Sequence, residues 1–240
     1  MASVRELDRA AAKSAKRRAN ELPLRIYSSI VLGALALAAT WAGGTVFALF
    51  WLAAAIGVLW EWARISSLRP LWLAAGVVYA GTFFVSMLLL RSDPRLGLVA
   101  LIWLFALIWT ADIAAYFTGR ALGGPKLWPA VSPNKTWSGA IGGTIGGLVA
   151  GAAALVAAGL SLRPIHALVM LAVVIAAQLG DLLESAIKRR FGVKDSSQLI
   201  PGHGGLMDRC DSLVAAAAVA LSIGLARAGM NAPAEGLLLW

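Results

Sequence analysis

Seven stretches of mostly apolar residues, near 25–41, 45–62, 71–90, 98–118, 139–160, 166–188 and 207–228, run almost end to end through the chain. A helix crossing the hydrocarbon core of a bilayer needs about 20 such residues, and every backbone N–H and C=O must be satisfied within the helix. The pattern therefore predicts an all-α, polytopic integral membrane protein of about seven transmembrane helices. Composition agrees: 60% of the 240 residues are hydrophobic and 14% charged, against roughly 45–50% and 25% in a soluble domain. That balance excludes a water-soluble globule and a disordered chain. A single cysteine, Cys210, allows no intramolecular disulfide, and its place between two acids reads as packing.

The net charge of +9 would point to nucleic acid in a soluble domain, but in a membrane protein basic residues first report orientation. Sixteen of the 21 Lys and Arg fall on one side of the spans if the N-terminus is cytoplasmic. Arg91, Arg95, Arg163 and Arg227 fall on the other, and Arg209 is left over at a helix start. The chain is thus expected in a bacterial cytoplasmic (inner) membrane, binding no nucleic acid, with its long loops inside and its C-terminus outside. Three regions follow: a basic segment over 1–23, N-terminal spans over 24–95 and a C-terminal catalytic membrane region over 96–240. Trp41, Trp62 and Trp72 fall at span ends, as an interfacial belt would, and His166 reads as interfacial. In the fifth span Gly139, Gly143, Gly147 and Gly151 make a ridge that lets another backbone approach closely. The ridge's partner is either a helix of the same chain or a second copy, which would make a homo-oligomer.

Acidic residues inside spans are costly and mark function by default. Five stand out: Asp112, Asp181, Glu184, Asp208 and Asp211. Asp181, Glu184, Ser185 and Lys188 recur at helical spacing, as do Asp208 with Asp211 and Asp112 with Tyr116, so three helices each carry a polar stripe near one end. Two loops at that end, 119–138 and 189–206, mix Gly, Pro, Ser and Thr with Lys and Arg, and the second closes on Gly202, His203, Gly204 and Gly205. Glycine-rich backbone at a helix start suits phosphate oxygens, because free amides and the helix dipole both favour an anion. Carboxylates nearby would hold Mg²⁺, which takes one or two of them and leaves room for phosphate and water. The combination predicts a phosphate-processing centre in a polar cavity near the cytoplasmic face.

The run from Ser185 to Asp211, SAIKRRFGVKDSSQLIPGHGGLMDRCD, resembles the signature of the phosphatidate cytidylyltransferases, or CDP-diacylglycerol synthases. GDLLES at Gly180–Ser185, DIAAYFTGR at Asp112–Arg120 and SPNKTWSG at Ser132–Gly139 agree with it, and WEWAR at Trp60–Arg64 agrees more weakly. Family members usually carry Glu where this chain has Ser138. The resemblance implies transfer of CMP from CTP to phosphatidic acid in the bilayer, giving CDP-diacylglycerol and pyrophosphate in phospholipid biosynthesis. It implies Mg²⁺, with a second metal ion left open, on Asp181, Asp208 and Asp211, and catalysis by these with Lys188 and Arg189. Ser132, Lys135, Thr136, Ser185, Lys194, Asp195, His203, Gly204, Gly205, Arg209, Asp112 and Tyr116 would bind substrate. Two other classes compete: a CTP-dependent polyprenol or lipid kinase, and a transporter with intramembrane acids. The His-Gly-Gly to Asp-Arg-X-Asp run argues against the first, and the absence of a duplicated half against the second.

Overall fold

The structure is a computed structural model that describes Pro23, residues 27–200 and residues 204–240. The basic segment expected over 1–23 lies outside these residues except for Pro23, as does His203. Six helices of 21 to 27 residues are long and apolar enough to span a membrane: α2 (Gly44–Ile65), α3 (Pro70–Ser92), α4 (Gly97–Leu122), α5 (Trp137–Ala157), α6 (Pro164–Arg190) and α7 (Met207–Ala228). The first expected span is the shorter apolar helix α1 (Tyr27–Ala42). A six-residue helix, α8 (Pro233–Leu238), follows α7. The chain is thus an integral membrane protein of helices, as expected, with six long spans and a shorter one among the described residues.

Sequence explains the boundaries. Pro70 and Pro164 open α3 and α6 at the first helical position, where the missing N–H costs nothing. Thr136 caps α5 by accepting a hydrogen bond from the Gly139 amide at 3.1 Å. The 119–138 connector, read as a loop from the sequence, carries a two-stranded antiparallel hairpin of β1 (Lys126–Trp128) and β2 (Ser132–Thr136), pairing Lys126 with Thr136 and Trp128 with Ser132.

Trp51 of α2 packs edge-on against Phe83 of α3 at 5.4 Å and stacks with Phe105 of α4 at 6.1 Å, forming an aromatic heart. Leu49, Ile56, Val78, Ile145, Val149 and Leu168 point outward, as lipid-facing positions must. The glycine ridge of α5 lies against α4 of the same chain: a Cβ on Gly143 would sit 2.8 Å from the Ala111 carbonyl, and one on Gly139 would sit 2.9 Å from that of Ala115. Gly142 and Gly146 abut Thr118 and Ala114 of α4 as well, so a second copy meets no open glycine groove there.

The two ends of the bundle differ in chemistry. At one end the α2–α3, α4–α5 and α6–α7 connections meet: Arg69 lies 5.8 Å over the Phe191 ring, Arg190 lies 5.6 Å over Trp72, and Arg189 Nε donates to the Val131 carbonyl at 3.3 Å. At the other end Asp93 accepts from the amides of Arg95, Leu96 and Glu235, and Arg227 reaches the carbonyls of Gly236 and Leu239 at 2.6 Å. His166, expected at the interface, is buried. Its Nδ1 accepts from the Arg163 amide at 2.9 Å and its Nε2 lies 3.0 Å from the Leu238 carbonyl, closing α6 onto α8. Trp62 is buried too, donating to the Trp72 carbonyl at 2.7 Å, whereas Trp41 is exposed. Cys210 is buried packing, as expected.

Candidate functional site

The basic end holds two groups of carboxylates, divided differently from the sequence expectation. In the first, Asp112 of α4, Asp181 of α6 and Asp211 of α7 lie within electrostatic reach of one another and of Lys135, which β2 carries in from the hairpin. Lys135 forms an ion pair with Asp181, and Ser185, one turn along α6, donates to the same carboxylate at 3.5 Å. Asp112 lies close to the Ser212 side chain and within reach of Arg209. Asp211 accepts from the Ser212 amide at 2.8 Å. Tyr79 of α3, whose buried hydroxyl has no hydrogen-bond partner, adds a polar group within reach of Asp211. Three spanning helices and a hairpin thus bring three carboxylates and one ammonium together.

The second group surrounds Asp208, which the sequence placed with Asp181 and Asp211. Its carboxylate accepts from Lys188 Nζ at 2.6 Å, from the Ser196 amide and hydroxyl at 3.0 Å each, and from the Gly205 amide at 2.8 Å. Four donors thus converge on this one carboxylate. Lys188 also pairs with Glu184 of α6 at 2.7 Å. Side chains in a helix lean toward its N-terminus. Asp208, in the first turn of α7, therefore turns back onto the preceding loop, whereas Asp211 faces α4 and α6. Lys188, expected to meet phosphate, is buried between two carboxylates.

Glu61 of α2 is the residue that sequence reasoning missed. It is 0% exposed and accepts four hydrogen bonds: Ser197 Oγ at 2.5 Å and the Leu206 amide at 2.8 Å on Oε1, and Ser196 Oγ at 2.8 Å and the Met207 amide at 2.7 Å on Oε2. The signal was present, as a single acid in an otherwise apolar span beside Arg64. Together Glu61 and Asp208 take the amides at the start of α7 and at Gly205 that the sequence assigned to phosphate. Gly205 has no room for a side chain, since any Cβ would collide with Ser196 Oγ and the Glu61 carboxylate. Gly204 takes φ +87°, in the left-handed region that favours glycine.

The remaining expected residues divide between the site's rim and local structure. Lys194 and Asp195 are exposed on a cleft of about 750 Å³ that they share with Trp60, Arg64, Ser197 and Gln198. Arg189 is exposed and ties the hairpin to the loop, donating to Val131 and, at 3.0 Å, to the Val193 carbonyl. Tyr116 accepts from Arg120 at 2.9 Å at the surface of α4. Thr136 is committed to capping α5, and Ser138 beside it donates to the Gly123 carbonyl. Ser132 is half-buried at the start of β2.

The first group suits a hard divalent cation by its donors, which are carboxylate oxygens from Asp181 and Asp211 with Asp112 near them. Among the described residues no three acidic, imidazole or thiol groups stand close enough together to hold a metal ion by themselves. Such an open set matches the habit of Mg²⁺, which completes six-fold coordination with water and substrate oxygens.

Residues 69–225 match the sequence profile of the cytidylyltransferase family. A phosphatidate cytidylyltransferase of Brucella suis biovar 1 (strain 1330) is 40% identical over 270 residues, covering 89% of this chain and 97% of that protein. The phosphatidate cytidylyltransferase of Haemophilus influenzae is 50% identical over 129 residues, covering 52% of this chain and 45% of that one. That of Bacillus subtilis (strain 168) is 40% identical over 138 residues, covering 57% and 51%.

Proposed function

The chain belongs to the cytidylyltransferase family, and from that premise we propose that it transfers CMP from CTP to phosphatidic acid, giving CDP-diacylglycerol and pyrophosphate. The observation that carries this reading is the meeting of Asp112, Asp181 and Asp211, from three spanning helices, with Lys135 from a hairpin at the basic end. Intramembrane acids beside fixed cations serve a reaction between two polyanions at a bilayer surface.

The reaction needs one new bond and one broken bond. An oxygen of the lipid phosphate attacks the α-phosphorus of CTP, and the bond from that phosphorus to the bridging oxygen of pyrophosphate breaks. No general base is required, because a phosphate monoester already carries about −1.5 to −2 charge at pH 7. The chain's task is to bring the two anions together and to absorb the charge that collects on the leaving group. Lys135 supplies positive charge at the first carboxylate group, and Arg189 and Lys194 add it on the loops at the same end of the bundle. Lys188 acts one step back, holding Asp208 and with it the start of α7.

Mg²⁺ fits the site by the chemistry of its donors, with Asp181 and Asp211 as ligands and Asp112 beside them; when bound it would neutralise phosphate charge and favour in-line geometry. The membrane is a bacterial inner membrane and the basic end faces the cytoplasm in this reading, supported by the gathering of Arg64, Arg69, Lys126, Arg189, Arg190 and Lys194 around one set of loops. CTP then arrives from water while phosphatidic acid keeps its acyl chains in the bilayer.

The test is direct. Purified protein in mixed micelles should release pyrophosphate from CTP only when phosphatidic acid and Mg²⁺ are both present. Release of CDP, the signature of a lipid kinase, would overturn the proposal, and robust turnover in EDTA would remove its metal.

A further inference from the structure

Glu61 plays no part in the chemistry just described, yet it is among the most completely satisfied carboxylates in the chain. It lies one turn before the end of α2 and reaches residues 135 to 146 positions away in sequence. Its four partners all belong to the segment from Ser196 to Met207, which joins α6 to α7. A carboxylate buried this deeply is tolerated only where donors disperse its charge. Two serine hydroxyls and two backbone amides do so here, which fastens the connection to α2 at two separated points, Ser196–Ser197 and Leu206–Met207.

That fastening has two faces. Toward the bundle, Ser196 Oγ lies 2.8 Å from Glu61 and 3.0 Å from Asp208. A hydroxyl has one proton, so it serves the two carboxylates in alternation, and the Ser196 amide at 3.0 Å keeps Asp208 in place throughout. Glu61 thereby acts on Lys188 through Ser196 and Asp208. Toward the aqueous loops, residues 193–199 form one wall of the cleft of about 750 Å³, and α2 forms the other. Ser197 belongs both to the fastening and to the wall, and the helical wall presents Trp60, 46% exposed, with the Arg64 guanidinium 4.8 Å over its ring.

We infer that Glu61 is a positioning residue for the nucleotide: by holding Ser196 and Ser197, with Leu206 and Met207, against α2, it sets the spacing of a cleft that takes CTP. This rests on the cytidylyltransferase reading above. The chemistry of the walls selects the nucleotide over the lipid. Lys194 and Arg64 are fixed cations for a polyphosphate. Gln198 and Asp195 offer donors and acceptors to a nucleoside, and the Trp60 ring offers a face on which a base can stack. Val193 and Leu199 complete the lining, and the charged and polar side chains between them favour the nucleotide.

The experiment is a comparison of Michaelis constants in the full-length protein in mixed micelles, with Glu61→Gln, Glu61→Asp, Ser197→Ala and the Glu61→Gln/Ser197→Ala double variant. Replacing the carboxylate weakens hydrogen bonds to a charged group, so Glu61→Gln should raise KM for CTP about tenfold. KM for phosphatidic acid should stay within about twofold, since a bond that acts only on the cleft leaves uniform lipid binding alone. Glu61→Asp should recover part of the loss, and the double variant should be no worse than Glu61→Gln, because both changes open one fastening. Trypsin should also cut after Lys194 faster in Glu61→Gln. An unchanged KM for CTP would overturn the inference. So would equal changes for both substrates that track the amount of folded protein, which would leave Glu61 a purely structural acid. If Glu61→Gln does not fold, Ser197→Ala decides alone by the same selective rise. A wild-type protein that releases no pyrophosphate from CTP would instead defeat the underlying reading.

Discussion

Lys188 Nζ stands 2.6 Å from the Asp208 carboxylate, joining the last turns of α6 to the first turn of α7. Glu184 approaches the same ammonium at 2.7 Å, so one cation serves two buried acids. Side-chain exposure is 10% for Lys188, 1% for Glu184 and 8% for Asp208, which removes most of the screening that weakens surface pairs. Removing the lysine alone leaves two uncompensated carboxylates. Lys188→Met should therefore cost about 3–5 kcal/mol of stability. Adding Glu184→Gln should restore part of it. Thermal unfolding in detergent, followed by size-exclusion fluorescence, reads both. A Lys188→Met protein as stable as the wild type would return the residue to the purely catalytic role that its sequence position suggests.

Asp181 and Asp211 should behave differently from Asp208 when neutralised. Asp181→Asn and Asp211→Asn are each expected to lose activity by at least about a hundredfold while folding normally, because a few kcal/mol of transition-state stabilisation goes with a metal ligand's charge. Asp208→Asn should lose stability along with activity, since an amide cannot accept from Lys188, Ser196 and Gly205 together. Turnover titrated against Mg²⁺, beside a melting curve for each variant, separates the cases. Near-normal turnover in either of the first two would take that residue out of the metal site.

How far the sequence reaches is clear from these acids. Span length and hydropathy located all six long helices, because bilayer thickness sets a requirement that any spanning helix must meet. The basic loops and five of the acids were equally visible. Their grouping was not, since a spacing of three places Asp208 and Asp211 on one helical face without saying which neighbour each carboxylate meets. Asp208 meets the backbone of its own loop, whereas Asp211 meets two other helices. Glu61 escaped notice because an acid three residues before Arg64, near the end of a span, looks like an interfacial pair. Only the tertiary fold brings the loop from 135 residues away onto it.

Orientation is open to chemical labelling. Single cysteines at Asn134 and Gln198, both exposed at the basic end, should resist impermeant thiol reagents applied outside intact cells. One at Asn231, exposed at the other end, should react. Cys210 is buried and is replaced by Ala as the background. The reverse pattern would invert the topology, and reaction at both ends would mean a mixed population.

Lys135 and Asp181 each satisfy the other's charge across the junction of hairpin and helix. A metal ion settling on Asp181 would evict the ammonium, and a phosphate settling on Lys135 would draw it away from the carboxylate. Either arrival spares the other the work of breaking the pair. Cation and nucleotide should therefore bind with positive linkage, each raising the other's affinity by the same factor whichever comes first. The ion pair is in this sense a latch with two keys, and the site favours being empty or fully loaded over holding a lone metal ion or a lone anion.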